Sequence, residues 1–184
     1  MSQHQPDPDA PVGPPVTGQD AAPASVVVER RVEWSDTDAA GHYHFSAVSR
    51  WAEAAEAVLL RRLGFASLFG AIPRVHFEAD YLQRLWFGET VRIEMRVAKV
   101  GVSSLHYAFE IRGREGLAAT GRMSIVHAVV GAEGSTPWSD DVRAALTGAG
   151  PQPPETYATG PADGAPEGPG AGTAPPDGGR PDGG

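Results

Sequence analysis

The sequence predicts an α+β domain in which a five-stranded antiparallel sheet wraps around one long central helix. Three observations lead there. Residues 46–63 carry the only long helical pattern, and Ala, Leu, Val and Trp cover most of its circumference, the mark of a buried helix. Five segments show strand patterns, most with clean alternation and one polar face, as in an antiparallel sheet wetted on one side. Their order, β-α-β-β-β-β, lets the sheet curl around the helix.

The first strand is Val26 to Trp34, β-branched, with Glu29, Arg31 and Glu33 set against Val28, Val32 and Trp34. A short acidic loop follows, then the helix. Arg50, Glu53 and Glu56 form its polar stripe, with Glu53 expected to pair with Arg50. Arg61 and Arg62 suit the negative end of the dipole, and Gly64 stops it. Phe65 to Ile72 reads as a connector. Strands are expected at 74–82, 89–99, 103–112 and 117–130, with turns at Phe87-Gly88, Val100-Gly101 and Gly113 to Gly116. Pro137 to Leu146 reads as a terminal helical turn capped by Ser139 or Asp140. One helix covers only part of such a sheet, which implies self-association.

The ends differ in composition. Residues 1–25 and 147–184 hold 15 of the 17 prolines and 13 of the 23 glycines. Such segments bury too little apolar surface to offset their ordering entropy, so both are expected to be disordered tails flanking a domain over 26–146. Of the net charge of −8, the tails contribute −3 and −4, leaving the domain near −1. No basic run suggests nucleic acid. The absence of cysteine excludes disulfides and thiolate chemistry. No apolar run approaches the roughly 18 residues of a membrane span, and the N-terminus lacks a signal-peptide pattern. The expectation is a cytoplasmic protein without a membrane partner.

Chemistry concentrates between the first strand and the helix, in Trp34-Ser35-Asp36-Thr37-Asp38-Ala39-Ala40-Gly41-His42-Tyr43-His44-Phe45. A carboxylate just before a buried helix supplies a nucleophile or base. The helix's free N–H groups can stabilise a developing oxyanion. Asp is also a common turn residue, and Asp36 is expected to act as one. His42 and His44 form an H-x-H pair, but no third ligand stands nearby. They are expected to line a pocket rather than bind zinc. His127 is expected in or against the sheet.

The strand ending in Trp34, the Ser35-Asp36-Thr37-Asp38-Ala39-Ala40-Gly41-His42 run, and a helix bearing Trp51 and Glu53 and ending at Leu63-Gly64 resemble the hotdog-fold acyl-CoA thioesterases of the 4-hydroxybenzoyl-CoA thioesterase type. The Val100-Gly101-Val102-Ser103-Ser104-Leu105 turn and the Ala119-Thr120-Gly121-Arg122 segment are similar too. The resemblance implies a hotdog fold over about 26–146 and hydrolysis of an acyl-CoA thioester without a cofactor. It also implies homodimers or homotetramers with active sites at subunit interfaces. Asp38 then maps to the catalytic carboxylate, as nucleophile or base, and the Phe45 backbone N–H to the oxyanion hole. Gly41, His42, His44, Glu53, Ser103 and Ser104 are the expected substrate-binding positions. Glu53 is a second carboxylate candidate, because some hotdog thioesterases place the acid on the helix, and the two serines can approach CoA. Arg96, Lys99 and Arg122 are candidates for CoA phosphates. The sequence departs from many relatives at His44-Phe45, where Tyr-His or Asn-Asn is common. Two rival readings are a thioesterase acting on carrier-protein-bound acyl chains and a non-catalytic acyl-CoA-binding hotdog dimer.

Overall fold

The computed structural model describes residues 22–129, 131 and 133–157. Strand β1 (Ala22–Arg31) leads through a single 3-10 turn (Trp34–Asp36) and a tight loop into helix α1 (Ala47–Arg62). Strands β2 (Arg74–Tyr81), β3 (Thr90–Val100), β4 (Ser104–Gly113) and β5 (Gly116–Val126) follow. Helix α2 (Asp140–Gly148) and a short strand β6 (Ala149–Pro151) end the described chain. The sheet order is β2-β5-β4-β3-β1-β6, antiparallel throughout except for β6, which runs parallel to β1. The hotdog arrangement implied by the resemblance is therefore the one observed: a sheet wound around α1.

Helix α1 owes its position to its apolar face. Val48, Trp51, Ala52, Ala55, Val58, Leu59 and Leu60 are buried against inward side chains of the sheet, including Val26, Val28, Ile93, Met95, Tyr107 and Phe109. Burying each Val or Leu of this set stabilises the fold by about 1.5–3 kcal/mol. The helix ends in a Schellman motif. Gly64 takes φ +83°, the Phe65 N–H donates to the Leu60 carbonyl at 2.8 Å, and the Gly64 N–H donates to that of Arg61 at 3.1 Å. The expected polar stripe is corrected at two places. Glu56 lies inside, only 2 % exposed, with its Oε2 2.5 Å from the Arg74 guanidinium. Glu53 also pairs with Arg74, at 3.3 Å, while Arg50 turns to Asp36 at 2.7 Å.

Both expected domain boundaries move outward. Strand β1 begins at Ala22, and the chain after α2 continues along its edge. The Gln152 N–H donates to the Ser25 carbonyl at 2.7 Å and the Glu155 N–H to that of Val27 at 2.9 Å. Residues 147–157 therefore belong to the folded body, and the sheet has six strands rather than five. Pro and Gly are acceptable at this edge because the pairing uses backbone groups and leaves the outer side free. The remaining stretches read as tails, 1–21 and 158–184, lie outside the described residues. The expected terminal turn is present as α2, capped by Ser139, whose Oγ accepts from the Val142 N–H. His127 stacks on Trp138 at 4.8 Å, beside the sheet.

Candidate active site

The loop between β1 and α1 is a small hairpin. Thr37 and Tyr43 face each other as an antiparallel bridge, and Asp38 to Gly41 form the turn. The Gly41 N–H donates to the Asp38 carbonyl and the Asp38 N–H to that of His42, both at 3.0 Å. Closing that turn requires a positive φ at Gly41 (+78°), which a side chain would strain. The hairpin is anchored from outside by a His42–Trp86 bridge and by the Tyr43 N–H donating to the Leu85 carbonyl at 2.8 Å.

Asp38 and Asp36 do different work. The Asp38 Oδ1 accepts the Ala40 N–H at 2.8 Å, which sets the carboxylate plane. Its Oδ2 has no hydrogen bond among the described residues and lies 3.8 Å from His42 Nδ1. Asp36 is 7 % exposed. Its Oδ2 accepts the Glu33 N–H, its Oδ1 holds Arg50, and its backbone carbonyl accepts the His44 N–H at 2.6 Å. Asp36 thus builds the loop, as expected, and Asp38 is left facing open space.

That space is a cavity of about 530 Å³ lined by Asp38, His42, Tyr43, His44, Phe45, Tyr81, Leu82, Gln83 and Arg84. The Phe45 N–H donates to no partner among the described residues. Its orientation is nevertheless fixed. The peptide that carries it has the His44 carbonyl bonded to the Ala47 N–H at 2.9 Å, and the Phe45 carbonyl accepts the Tyr81 hydroxyl at 3.2 Å. A free N–H at the mouth of a 16-residue helix, with the positive end of its dipole behind it, is a place for negative charge. Tyr43 and Tyr81 lie close (6.3 Å), and Tyr43 stacks on Trp51 at 5.9 Å. Burial raises both phenol pKa values, so these walls stay uncharged at neutral pH.

Of the residues singled out in the sequence, Asp38, His42, His44 and Phe45 share this cavity, and Gly41 shapes the turn beneath it. Glu53, Ser103 and Ser104 lie elsewhere in the chain. Glu53 sits eight residues along from Phe45, roughly 12 Å of helical rise, on a second cavity of about 470 Å³ with Glu56, Phe69 and Arg74. Ser103 bonds Ser135 (3.0 Å), and Ser104 contacts His106 (3.2 Å), at the β3–β4 turn. Arg122 pairs with Glu78 at 3.3 Å on the outer sheet face. Tyr81, Leu82, Gln83 and Arg84 were not singled out as site residues, because a strand's end carries no mark of the loop it will meet in space. Among the described residues, no group of three or more His, Asp or Glu is placed to hold a metal ion, and no helix is long and apolar enough to cross a membrane.

Comparison with known proteins gives this geometry a family. A 1,4-dihydroxy-2-naphthoyl-CoA hydrolase of Prochlorococcus marinus (strain NATL2A) is 33 % identical over 103 residues, 48 % of this chain and 66 % of its own length. The match therefore spans a little under two thirds of that relative. A gentisyl-coenzyme A thioesterase structure superposes with a TM-score of 0.58 at 25 % identity, covering 65 % of this chain and 98 % of its own. A 1,4-dihydroxy-2-naphthoyl-CoA thioesterase from Synechocystis shares the fold, with a TM-score of 0.62, 19 % identity, and coverage of 66 % and 95 %. The profile of the thioesterase-like superfamily matches residues 32–146, well over half of the chain, from the loop through α1 and strands β2 to β5. The chain belongs to the thioesterase-like superfamily.

Proposed function

We propose that the protein hydrolyses an acyl-CoA thioester to the free acid and CoA, with Asp38 as the catalytic carboxylate. The observation that carries this reading is the pairing of the unbonded Asp38 Oδ2 with the unpartnered Phe45 N–H on one cavity. As water or Oδ2 adds to the thioester carbon, the carbonyl π electrons move onto oxygen. The Phe45 N–H and the helix dipole meet the charge that forms there. Collapse of the adduct expels CoA thiolate, a good leaving group, so no metal-activated water is needed. When water is the attacker, Oδ2 takes its proton. When Oδ2 attacks, a water then opens the mixed anhydride.

The cavity walls favour an aromatic acyl group. Tyr43, His44, Phe45 and Tyr81 offer ring faces and edges that suit a planar guest. The relatives' naphthoyl and gentisyl esters have that shape. A second copy of the chain is part of the proposal. Among the described residues strand β2 is an unpaired sheet edge, and its inward side chains Phe77 and Tyr81 remain partly exposed. Pairing of two β2 edges would cover them and close the neighbouring cavities.

The test is CoA release from benzoyl-CoA and 1,4-dihydroxy-2-naphthoyl-CoA, monitored with a thiol reagent. Asp38→Asn is expected to keep the fold and reduce kcat by about 10²–10⁴. An unchanged rate would remove Asp38 from the chemistry. In single turnover in H₂¹⁸O, label on Asp38 identifies attack by Oδ2, with water opening the anhydride at the Asp38 carbonyl.

A further inference from the structure

We infer that His44 is a second hydrogen-bond donor to the thioester carbonyl oxygen, held as its Nε2–H tautomer by a chain of contacts that begins at Asp36. The inference rests on the thioesterase reading for the substrate, and on hydrogen bonds alone for the tautomer.

Three contacts carry the argument. Arg50 donates from one nitrogen to the Asp36 Oδ1 at 2.7 Å and from another to the Ser46 Oγ at 3.1 Å. The Ser46 Oγ lies 2.8 Å from the His44 Nδ1, and the Ser46 backbone N–H points at the same nitrogen from 3.3 Å. A guanidinium can only donate, so the Ser46 hydroxyl accepts from Arg50 through one lone pair, and its hydrogen is free to turn to the His44 Nδ1. A backbone N–H has no acceptor either. The backbone N–H at 3.3 Å is thus a fixed donor to Nδ1, the nearer hydroxyl joins it as the second, and Nδ1 carries the lone pair. The ring hydrogen sits on Nε2, which has no partner among the described residues on a ring that lines the Asp38 cavity.

The other histidine of the pair is set the opposite way. His42 Nδ1 lies 3.2 Å from the Tyr43 carbonyl, an acceptor, so that nitrogen carries the hydrogen and leans toward the Asp38 Oδ2. The H-x-H pattern thus supplies one ring that steadies the carboxylate and one that offers a donor. His44 precedes the Phe45 N–H in sequence, so one short stretch of backbone fixes both donors. This assigns a use to the pairing of buried Asp36 with half-exposed Arg50. Asp36, Arg50 and Ser46 are positioning residues, acting on substrate only through His44.

The tautomer is read without turnover, from ¹H–¹⁵N spectra of protein labelled in histidine. The wild type is expected to show His44 unprotonated at Nδ1 and protonated at Nε2. Phenacyl-CoA, a thioether ketone that cannot be hydrolysed, is expected to shift the Nε2 signal. Ser46→Ala, which removes no helix-capping bond, is expected to mix the two tautomers. It should also lower kcat on benzoyl-CoA by roughly tenfold at unchanged KM. His44→Ala is expected to lower kcat by about 10²–10³, as loss of one oxyanion donor does, with His44→Gln recovering part of it. A hydrogen on Nδ1 in the wild type, a Ser46→Ala spectrum identical to wild type, or a His44→Ala variant that changes only KM would each overturn the assignment. Absence of CoA release by the wild type would sink the thioesterase reading instead, and the spectra with phenacyl-CoA would still decide His44.

Discussion

The two edges of the sheet start from similar strands and end in different conditions. Strand β1 alternates buried and partly exposed residues, with Ala24, Val26 and Val28 in the core, and its outer backbone is covered by the chain following α2. There Gln152 and Glu155 supply backbone partners to Ser25, Val27 and Glu29, and the Glu155 carboxylate meets Arg30 at 2.7 Å. Strand β2 alternates just as regularly in sequence, yet Val75 is 61 % exposed and Tyr81 46 %. Among the described residues it pairs with β5 alone, and its ion pairs to α1 come from Arg74 at its start. An unpaired apolar edge invites another strand, and a covered one does not. Among the described residues β2 is thus the edge left open for the proposed second copy, and Tyr81 at its end also lines the Asp38 cavity.

The comparison can be broken most directly at β2. Val75→Asp places a charge on the edge strand proposed to meet a second copy. It is expected to weaken self-association by at least about 100-fold, with activity lost in parallel, while the monomer stays folded because the position is already exposed. Sedimentation across a concentration series reads it. Unchanged assembly would place the interface elsewhere.

The next effect concerns what holds β2 to the helix. Arg74, its first residue, reaches the buried Glu56, whose Oε1 stays unbonded, as does the neighbouring buried Tyr107 hydroxyl. Burial pushes the Glu56 carboxyl up to about 7, against the pull of Arg74 and with a further push from Glu53. A carboxyl raised in the folded state stabilises fully below its unfolded value of 4.5, and that contribution is lost as pH climbs through 7. Denaturant melts between pH 5 and 8 should show stability falling by up to about 3 kcal/mol from this group. Glu56→Gln should flatten that slope. A wild-type profile rising over this window would contradict the buried, proton-holding role.

The covered edge gives smaller effects. Ending the chain at Gly148 removes β6 and the Glu155 contacts. It should cost about 1–3 kcal/mol, from a few hydrogen bonds and newly bared backbone, whereas ending it at Tyr157 should cost nothing measurable. Equal stability of the two truncations would mean that the strap is ornamental. Glu155→Ala alone should cost less than about 1 kcal/mol, since its ion pair with Arg30 is partly exposed.

Much of this was legible in the chain. The period-two strands, the apolar helix with its Gly64 stop and the turn at Asp38 to Gly41 follow local rules, and local rules are written in local sequence. The separation of roles between Asp36 and Asp38 was also within reach, though the reason was not. Asp36 is structural because Arg50, fourteen residues away, closes on it. Three readings failed for one cause. Glu56 was assigned to the solvent, Glu53 to Arg50, and residues 147–157 to a tail, and each was decided by a partner distant in sequence: Arg74, Arg74 again, and the β1 edge.

By itself, then, the sequence determined the element types, their order, the family resemblance and the loop proposed to carry the chemistry. These depend on periodicity, backbone permissiveness at a few glycines, and the clustering of polar groups before one helix. Only the tertiary structure decided which oxygen of Asp38 is free, which groups stand beside each histidine's Nδ1, which carboxylate is buried, and which edge of the sheet is closed. Those depend on hydrogen-bond partners brought together from separate elements, and no pattern within a single segment records them.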